Sequence, residues 1–346
     1  MRSDSSSVGS PTNPLPSIPT VLLTNDDGPC SSSESPFIHS FTRHLRSAFL
    51  GSCPDKLRVV IPDSQKSWIG KAYIINDQIS LKYYDPDTSI SSSKPLTSAA
   101  SDQWILLGGT PATCSNIALF NLFPDEIDLV ISGPNYGRNT SSAFSLSSGT
   151  IGASLDAALS NHRTIALSYG VFEKPVSEEI LNAANQIAVK IIKHLWEAGF
   201  KKTAEGGELV DVYSVNIPLV PAILIDPQVI WTTESNTRYG RLFLPSSDIV
   251  PTTPAEIDVA STSSVPPSSA EGPPNISTGY PTQFIFKPDI SSLIDPNSTH
   301  HAAGTDAWAL NRGMCTVTPL RAAFAGAQKP SAIEQVEVNG LKVWKL

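Results

Sequence analysis

Val21-Leu22-Leu23-Thr24-Asn25-Asp26-Asp27-Gly28 joins a short apolar run to two adjacent carboxylates and a turn. The run is long enough for a buried strand, and the acids stand at its carboxyl end. Buried carboxylates must be paired, hydrogen-bonded or bound to a cation. Open α/β sheets place their ligands at the carboxyl ends of parallel strands. The segment is therefore read as the first strand of such a sheet, ending in a site for a hard cation such as Mg²⁺, Mn²⁺ or Ca²⁺. A capped Asp-Gly turn is the plainer alternative.

The rest of the chain repeats this pattern. Helical periodicity over 36–49 precedes a second apolar run, Leu57-Arg58-Val59-Val60-Ile61, which ends at Pro62-Asp63. Residues 79–84 read as a strand of a smaller hairpin region, and 85–101 as a Ser/Pro/Asp-rich loop. A third run, 104–107, ends at Gly108-Gly109-Thr110-Pro111 and leads into a helix over 112–123. Ile127-Asp128-Leu129-Val130-Ile131 reads as a further strand, ending in Ser132-Gly133-Pro134-Asn135. Helices to about 159 and over 178–196 alternate with strands at 164–168 and 211–217. Two short β-like runs follow, at 283–287 and 314–318. Strands alternating with helices at this spacing predict an α/β fold with a Rossmann-like, doubly wound, mostly parallel sheet. Residues 1–19 read as a disordered Ser/Pro-rich tail, 20–320 as one domain with insertions at 85–101 and 245–282, and 321–346 as a C-terminal extension.

Composition narrows the function. With 24 Lys and Arg against 32 Asp and Glu, the formal net charge is −8, and no basic stripe appears. A nucleic-acid polymer is not expected as a partner. Cys30, Cys53, Cys114 and Cys315 match no zinc spacing and read as reduced thiols. No stretch approaches the roughly 18 apolar residues of a membrane span, and the first 19 residues lack a secretory apolar core. The expectation is a cytoplasmic protein without membrane contact.

Four further segments carry candidate chemistry. Asn135, in Ser132-Gly133-Pro134-Asn135-Tyr136-Gly137-Arg138-Asn139, offers a neutral carbonyl ligand, or marks an ordinary loop. Ser148-Gly149-Thr150 opens an Ala-rich helix, whose exposed N–H groups favour an anion; a plain N-cap is the alternative. Ser67 offers a hydroxyl ligand and Lys66 or Lys71 a phosphate contact, in the loop after the second strand. Asp306 is read as orienting a neighbouring element or capping a helix. None of the six His lies in these segments, and no Ser or Cys nucleophile has an adjacent His base.

Taken in order, Leu22 to Gly28, Pro62-Asp63 with Ser67, Gly109-Thr110-Pro111, Ser132 to Asn139, Ser148-Gly149-Thr150, Val215-Asn216-Ile217-Pro218 and Gly304-Thr305-Asp306 resemble the SurE family. These are metal-dependent acid phosphatases and 5'/3'-nucleotidases. The resemblance implies one divalent cation per subunit, Mg²⁺ or Mn²⁺, with Ca²⁺ also accommodated, held by Asp26, Asp27, Ser67 and Asn135. It implies phosphate or substrate contacts at Ser148, Gly149, Thr150, Asn139 and Asn25. Asp26 and Asp27 are the catalytic candidates, with Asp27 favoured as general base. A small phosphorylated substrate and a homodimer or homotetramer, built through an extended hairpin and the C-terminal region, complete the expectation. The chain departs from the family at Pro29-Cys30-Ser31-Ser32-Ser33, at Trp68-Ile69 and at Ser141, which bears on the substrate pocket. Two other readings stand beside hydrolysis: a non-catalytic nucleotide-binding module using the same crevice, and a partner-binding scaffold.

Overall fold

The computed structural model describes residues 15–51, 53–96, 103–200, 210–246, 281–295, 301–325, 335–338 and 341–344. Its strands are β1 (Val21–Thr24), β2 (Leu57–Pro62), β3 (Leu81–Asp85), β4 (Ile90–Ser92), β5 (Trp104–Leu107), β6 (Leu129–Tyr136), β7 (Arg163–Val171), β8 (Val212–Leu219), β9 (Val229–Trp231), β10 (Phe243–Pro245), β11 (Phe284–Phe286), β12 (Cys315–Leu320), β13 (Gln335–Val338) and β14 (Leu341–Trp344). Its α-helices are α1 (Ile38–Leu45), α2 (Pro111–Ile117), α3 (Ser142–Ser147), α4 (Gly149–Leu159), α5 (Glu178–His194), α6 (Ser291–Ile294) and α7 (Asp306–Leu310).

Ten strands form one sheet in the order β4-β3-β5-β2-β1-β6-β7-β8-β12-β9. The six from β5 to β8 are mutually parallel, whereas β3, β4 and β12 join antiparallel. The chain passes from β1 to β2 on one side and later enters β6 on the other side of β1. That reversal opens a crevice beyond the carboxyl ends of β1 and β6, where doubly wound sheets bind ligands.

Both faces of β1 are covered, which explains its unbroken apolar run. Val21 and Leu23 join the larger core beneath α1 and α5, whereas Leu22 packs with Val60, Val130 and Ala157 beneath α2 and α4. All three side chains are fully buried, and each contributes about 1.5–3 kcal/mol by leaving water. Burial of both sheet faces thus fixes the strand whose end carries the acids.

Several expected elements differ. The helix expected over 36–49 is α1 followed by a wider π-helical turn, Arg46–Leu50. The strand expected to stop at residue 131 continues to Tyr136, because a bulge between Ser132 and Asn135 accommodates Gly133-Pro134 within the ladder. The expected loop 85–101 contains β4, which folds back on β3. Its residues 97–101 lie outside the described residues, as do 247–280 of the expected 245–282 insertion. Of the expected tail, 1–14 lie outside the described residues; the Pro16 and Ile18 carbonyls accept hydrogen bonds from Trp196 and Lys56. Among the described residues, no helix is long and apolar enough to cross a membrane. No disulfide joins any of the four cysteines among the described residues.

Gly152 on α4 fixes the loop after β2. A Cβ there would lie 2.3 Å from the Gly70 carbonyl oxygen and 2.6 Å from its carbon. Backbone atoms cannot yield as a side-chain tip can. Gly152→Ala is expected to lower stability by about 1–3 kcal/mol, the usual range for overpacking, in urea unfolding monitored by circular dichroism. Wild-type stability would show that this approach is not tight.

Candidate metal and phosphate site

Asp26 and Asp27 follow β1 directly, and each is almost fully buried. Asp26 sits at the start of α4. The Thr150 hydroxyl donates to its Oδ1 at 2.5 Å, and the Gly149 and Thr150 N–H groups favour its charged form. Gly149 has no side chain because Asp26 stands there: an added Cβ would lie 2.7 Å from the Asp26 Cβ. The Asp26 carbonyl also accepts from the Lys66 N–H at 2.7 Å, tying the turn to the loop after β2. Asp27 is held differently. Its Oδ2 accepts from the Tyr136 N–H at 2.7 Å, at the end of the bulged strand β6. Its Oδ1 accepts no hydrogen bond among the described residues.

The two acids disfavour each other's charge. Burial raises the Asp26 pKa, and the Thr150 hydroxyl counters part of that rise. Burial first, and then the charge of Asp26, push Asp27 well above the usual carboxylate range. Among the described residues, no Lys, Arg or His forms an ion pair with either.

Asn135 completes this corner. Its Nδ2 donates to the Gly137 carbonyl at 2.7 Å, which fixes the amide orientation. Its Oδ1 lies 3.4 Å from the Thr150 hydroxyl, so one hydroxyl joins Asp26 to Asn135. The bulge that turns Asn135 depends on Gly133, at φ +125°, where a Cβ would lie 2.1 Å from the Leu167 carbonyl oxygen. Exposed Ser67 lines the same cleft as Asp26 and Asn135. Two carboxylates, an amide oxygen and a hydroxyl are hard oxygen donors of the types that suit a divalent cation, and the uncompensated charge of the acid pair is what such an ion would neutralise. No group of three or more His, Cys, Asp and Glu side chains converges as a metal site among the described residues.

The remaining expected site residues divide. Ser148 lines the cleft, while its hydroxyl caps α4 by accepting from the Ile151 N–H at 3.1 Å. Gly149 and Thr150, expected at phosphate, are turned onto Asp26. Asn139 lines the cleft and also braces it, with its N–H bonded to Asn216 and its amide to Ser168. Asn25, expected at substrate, is fully buried: its amide bonds to Gly28 and Ser35 and closes the turn that presents the acids. Lys71, the other expected phosphate contact, lies 3.4 Å from Asp156 instead. Asp306 takes the orienting role, accepting from the N–H groups of Ser141, Ser235 and Ala307.

The cleft encloses about 1310 Å³. One wall is aromatic, with Trp68 against Phe144 and Phe286 at ring separations of 5.8 and 5.2 Å. Trp68 holds φ +63°, an uncommon conformation for a bulky residue. Tyr136, Phe172, Arg138 and Lys174 also line the cleft. The sequence reading left Phe172, Lys174, Phe286 and Asn311 out of the site. They come from loops and a distant hairpin, with no motif to flag them.

The family model described as survival protein SurE matches residues 21–241, and the chain belongs to that family. The chain is 32% identical over 332 residues to the probable tubulin--tyrosine ligase PBY1 of Saccharomyces cerevisiae, covering 88% of this chain and 41% of that protein. It therefore spans less than half of the yeast relative. It is 28% identical over 221 residues to the 5'-nucleotidase SurE of Pelobacter propionicus, covering 64% of this chain and 72% of that protein. The crystal structure of the SurE protein from Aquifex aeolicus superposes with a TM-score of 0.56 at 21% identity, covering 89% and 95% of the two chains.

Thr150→Val preserves shape and removes the donor to Asp26. A hydrogen bond to a buried charge contributes about 1.5–3 kcal/mol, so unfolding in EDTA should show a loss of that size. An unchanged unfolding midpoint would mean that Thr150 does not support the carboxylate.

Proposed function

We propose that this chain hydrolyses phosphate monoesters, nucleoside monophosphates in particular, using one divalent cation. The observation that carries the reading is the buried Asp26–Asp27 pair, joined through Thr150 to Asn135 beside a large cleft and lacking a cationic partner among the described residues. Asp26, Asp27, Ser67 and Asn135 would hold the ion, with Mg²⁺ or Mn²⁺ the natural choices for oxygen donors. When bound, such an ion neutralises charge developing on phosphoryl oxygen and lowers the pKa of water.

The chain's own groups then divide the work. Gly149 and Thr150 favour the charged form of Asp26 against its burial and aim the carboxylate. Asn139 and Asn216 hold the loop after β6 against β8, so the Asn135 carbonyl keeps its direction. Ser148 supplies a hydroxyl oxygen at the cleft edge for a phosphate contact. Asp27 is the favoured acceptor for the proton of the attacking water, and the Tyr136 N–H on its Oδ2 holds the carboxylate in place. No His lines the cleft among the described residues, and direct attack by water is proposed rather than a covalent intermediate.

The nucleotide preference rests on the aromatic wall. Trp68, flanked by Phe144 and Phe286, presents a surface on which a base can stack. The likeness to bacterial 5'-nucleotidase SurE proteins supports the same preference. For the homodimer or homotetramer, support comes from the exposed apolar side chains Phe243, Phe284 and Ile285 on the β10–β11 hairpin.

Asp26→Asn and Asp27→Asn should each reduce phosphate release from AMP by at least about a thousandfold, as expected when transition-state electrostatics are removed. Release should also stop in EDTA and return on adding Mg²⁺ or Mn²⁺. Turnover near wild type in both variants would sink the assignment, and AMP binding without turnover in the wild type would favour the non-catalytic module. Trp68→Ala should raise KM for AMP about tenfold while leaving ribose 5-phosphate nearly unchanged, because stacking contributes about 1–3 kcal/mol per base. Equal losses on both substrates would assign Trp68 to the fold.

A further inference from the structure

The wall of the cleft formed by Tyr136, Arg138, Phe172 and Lys174 has its own electrostatic character. The chain carries a formal net charge of −8, yet this wall presents two cations, Arg138 and Lys174. Both lie over aromatic rings. The Arg138 guanidinium carbon is 4.8 Å from the centre of the Phe172 ring, and the Lys174 Nζ is 4.6 Å from that of Tyr136. Such packing restrains a long side chain and keeps its charge beside the cavity. The acids that line the cleft among the described residues are Asp26 and Glu34.

Arg138 has no carboxylate partner within ion-pairing distance among the described residues. Its Nη1 donates at 2.6 Å to the neutral Oδ1 of Asn311. The acid whose charge reaches it is Asp306, and both Asp306 oxygens already accept from backbone N–H groups of Ser141, Ser235 and Ala307. Burial pulls the Arg138 pKa down to about 10, the sign of a cation short of compensating charge. The Arg138–Asn311 bond settles which way the Asn311 amide faces, and its Nδ2 is left buried without an acceptor. Around Arg138 and Asn311, donors therefore outnumber acceptors among the described residues. A guanidinium presents five N–H groups in a planar fork that matches an oxyanion in two-point contact.

We propose that Arg138, steadied by Asn311 and assisted by Lys174, forms a second oxyanion subsite, distinct from the cation corner at Asp26, that takes a second phosphate on the substrate. The ligand class is a nucleoside bisphosphate, with one phosphate hydrolysed and the other held on this wall. The cleft volume, about 1310 Å³, leaves room for both groups and a base. The inference rests on the phosphomonoesterase reading above, which accounts for the corner at Asp26 and leaves this wall unused.

The test compares adenosine 3',5'-bisphosphate with AMP on the full chain, using wild type, Arg138→Gln and Arg138→Lys. Wild type should favour the bisphosphate in kcat/KM by about 10- to 100-fold, the size of a charge-assisted contact. Arg138→Gln should remove that preference by losing activity on the bisphosphate, with AMP turnover within about threefold of wild type. Arg138→Lys should keep part of the preference, because it retains charge but not the fork. Absence of a preference in wild type would overturn the subsite, and so would an equal loss on both substrates in Arg138→Gln, which would place Arg138 at the scissile phosphate or in the fold. Calorimetric titration of both nucleotides in EDTA separates the two readings. Tighter binding of the bisphosphate that Arg138→Gln abolishes supports the subsite even if neither compound is hydrolysed. Equal affinities overturn it whatever the turnover.

Discussion

Two negative charges on neighbouring residues, both out of water, form the constraint around which the structure is organised. Burial pushes both carboxyl groups toward the protonated form, and the charge of Asp26 pushes Asp27 further. The chain answers with directed dipoles rather than with cations. The start of α4 points N–H groups and a hydroxyl at Asp26, and the end of β6 points an N–H at Asp27. Helix N-termini carry partial positive charge, so this arrangement reduces the cost of the pair without neutralising it. What remains uncompensated is the charge that the proposed cation would neutralise.

The surrounding architecture follows from holding that corner still. The turn carrying the acids is closed by the Asn25 amide, and the loop after β2 is tied to it through Lys66. The bulge in β6 sets Asn135, and Asp306 gathers three backbone segments beyond it. None of these contacts needs to touch substrate. They are the supporting shell that keeps reacting groups in register.

Much of the sheet was legible in the chain because both of its faces are buried. Continuous apolar runs then mark each strand, as for Val21-Leu22-Leu23 and Leu129-Val130-Ile131. The acids, Ser67 and Asn135 could be picked out because each stands in a distinctive turn at or soon after a strand end. Roles were harder to read than positions. Asn25 and Thr150 carry side chains suited to binding phosphate, but their partners lie within the protein, and a sequence does not state which way an amide or hydroxyl turns. The strand end at residue 131 was misplaced because Gly133-Pro134 normally stops a ladder, whereas a bulge carries this one through. The walls of the cleft could not be foreseen. Phe286 reaches Trp68 from 218 positions away along the chain (286 − 68), and such convergence leaves no local periodicity.

The bond between Thr150 and Asp26 closes a loop of 124 residues, and that between Tyr136 and Asp27 a loop of 109. Contacts this distant in sequence form only after the intervening strands have ordered, because chain closure must precede them. The acid pair is therefore assembled late in folding and has no local precursor. An incompletely folded chain would expose two ordinary, well-hydrated aspartates with little hold on an ion. If the proposed ion binds only the finished corner, it would pull the folding equilibrium toward that state, linking metal capture to completion of the fold.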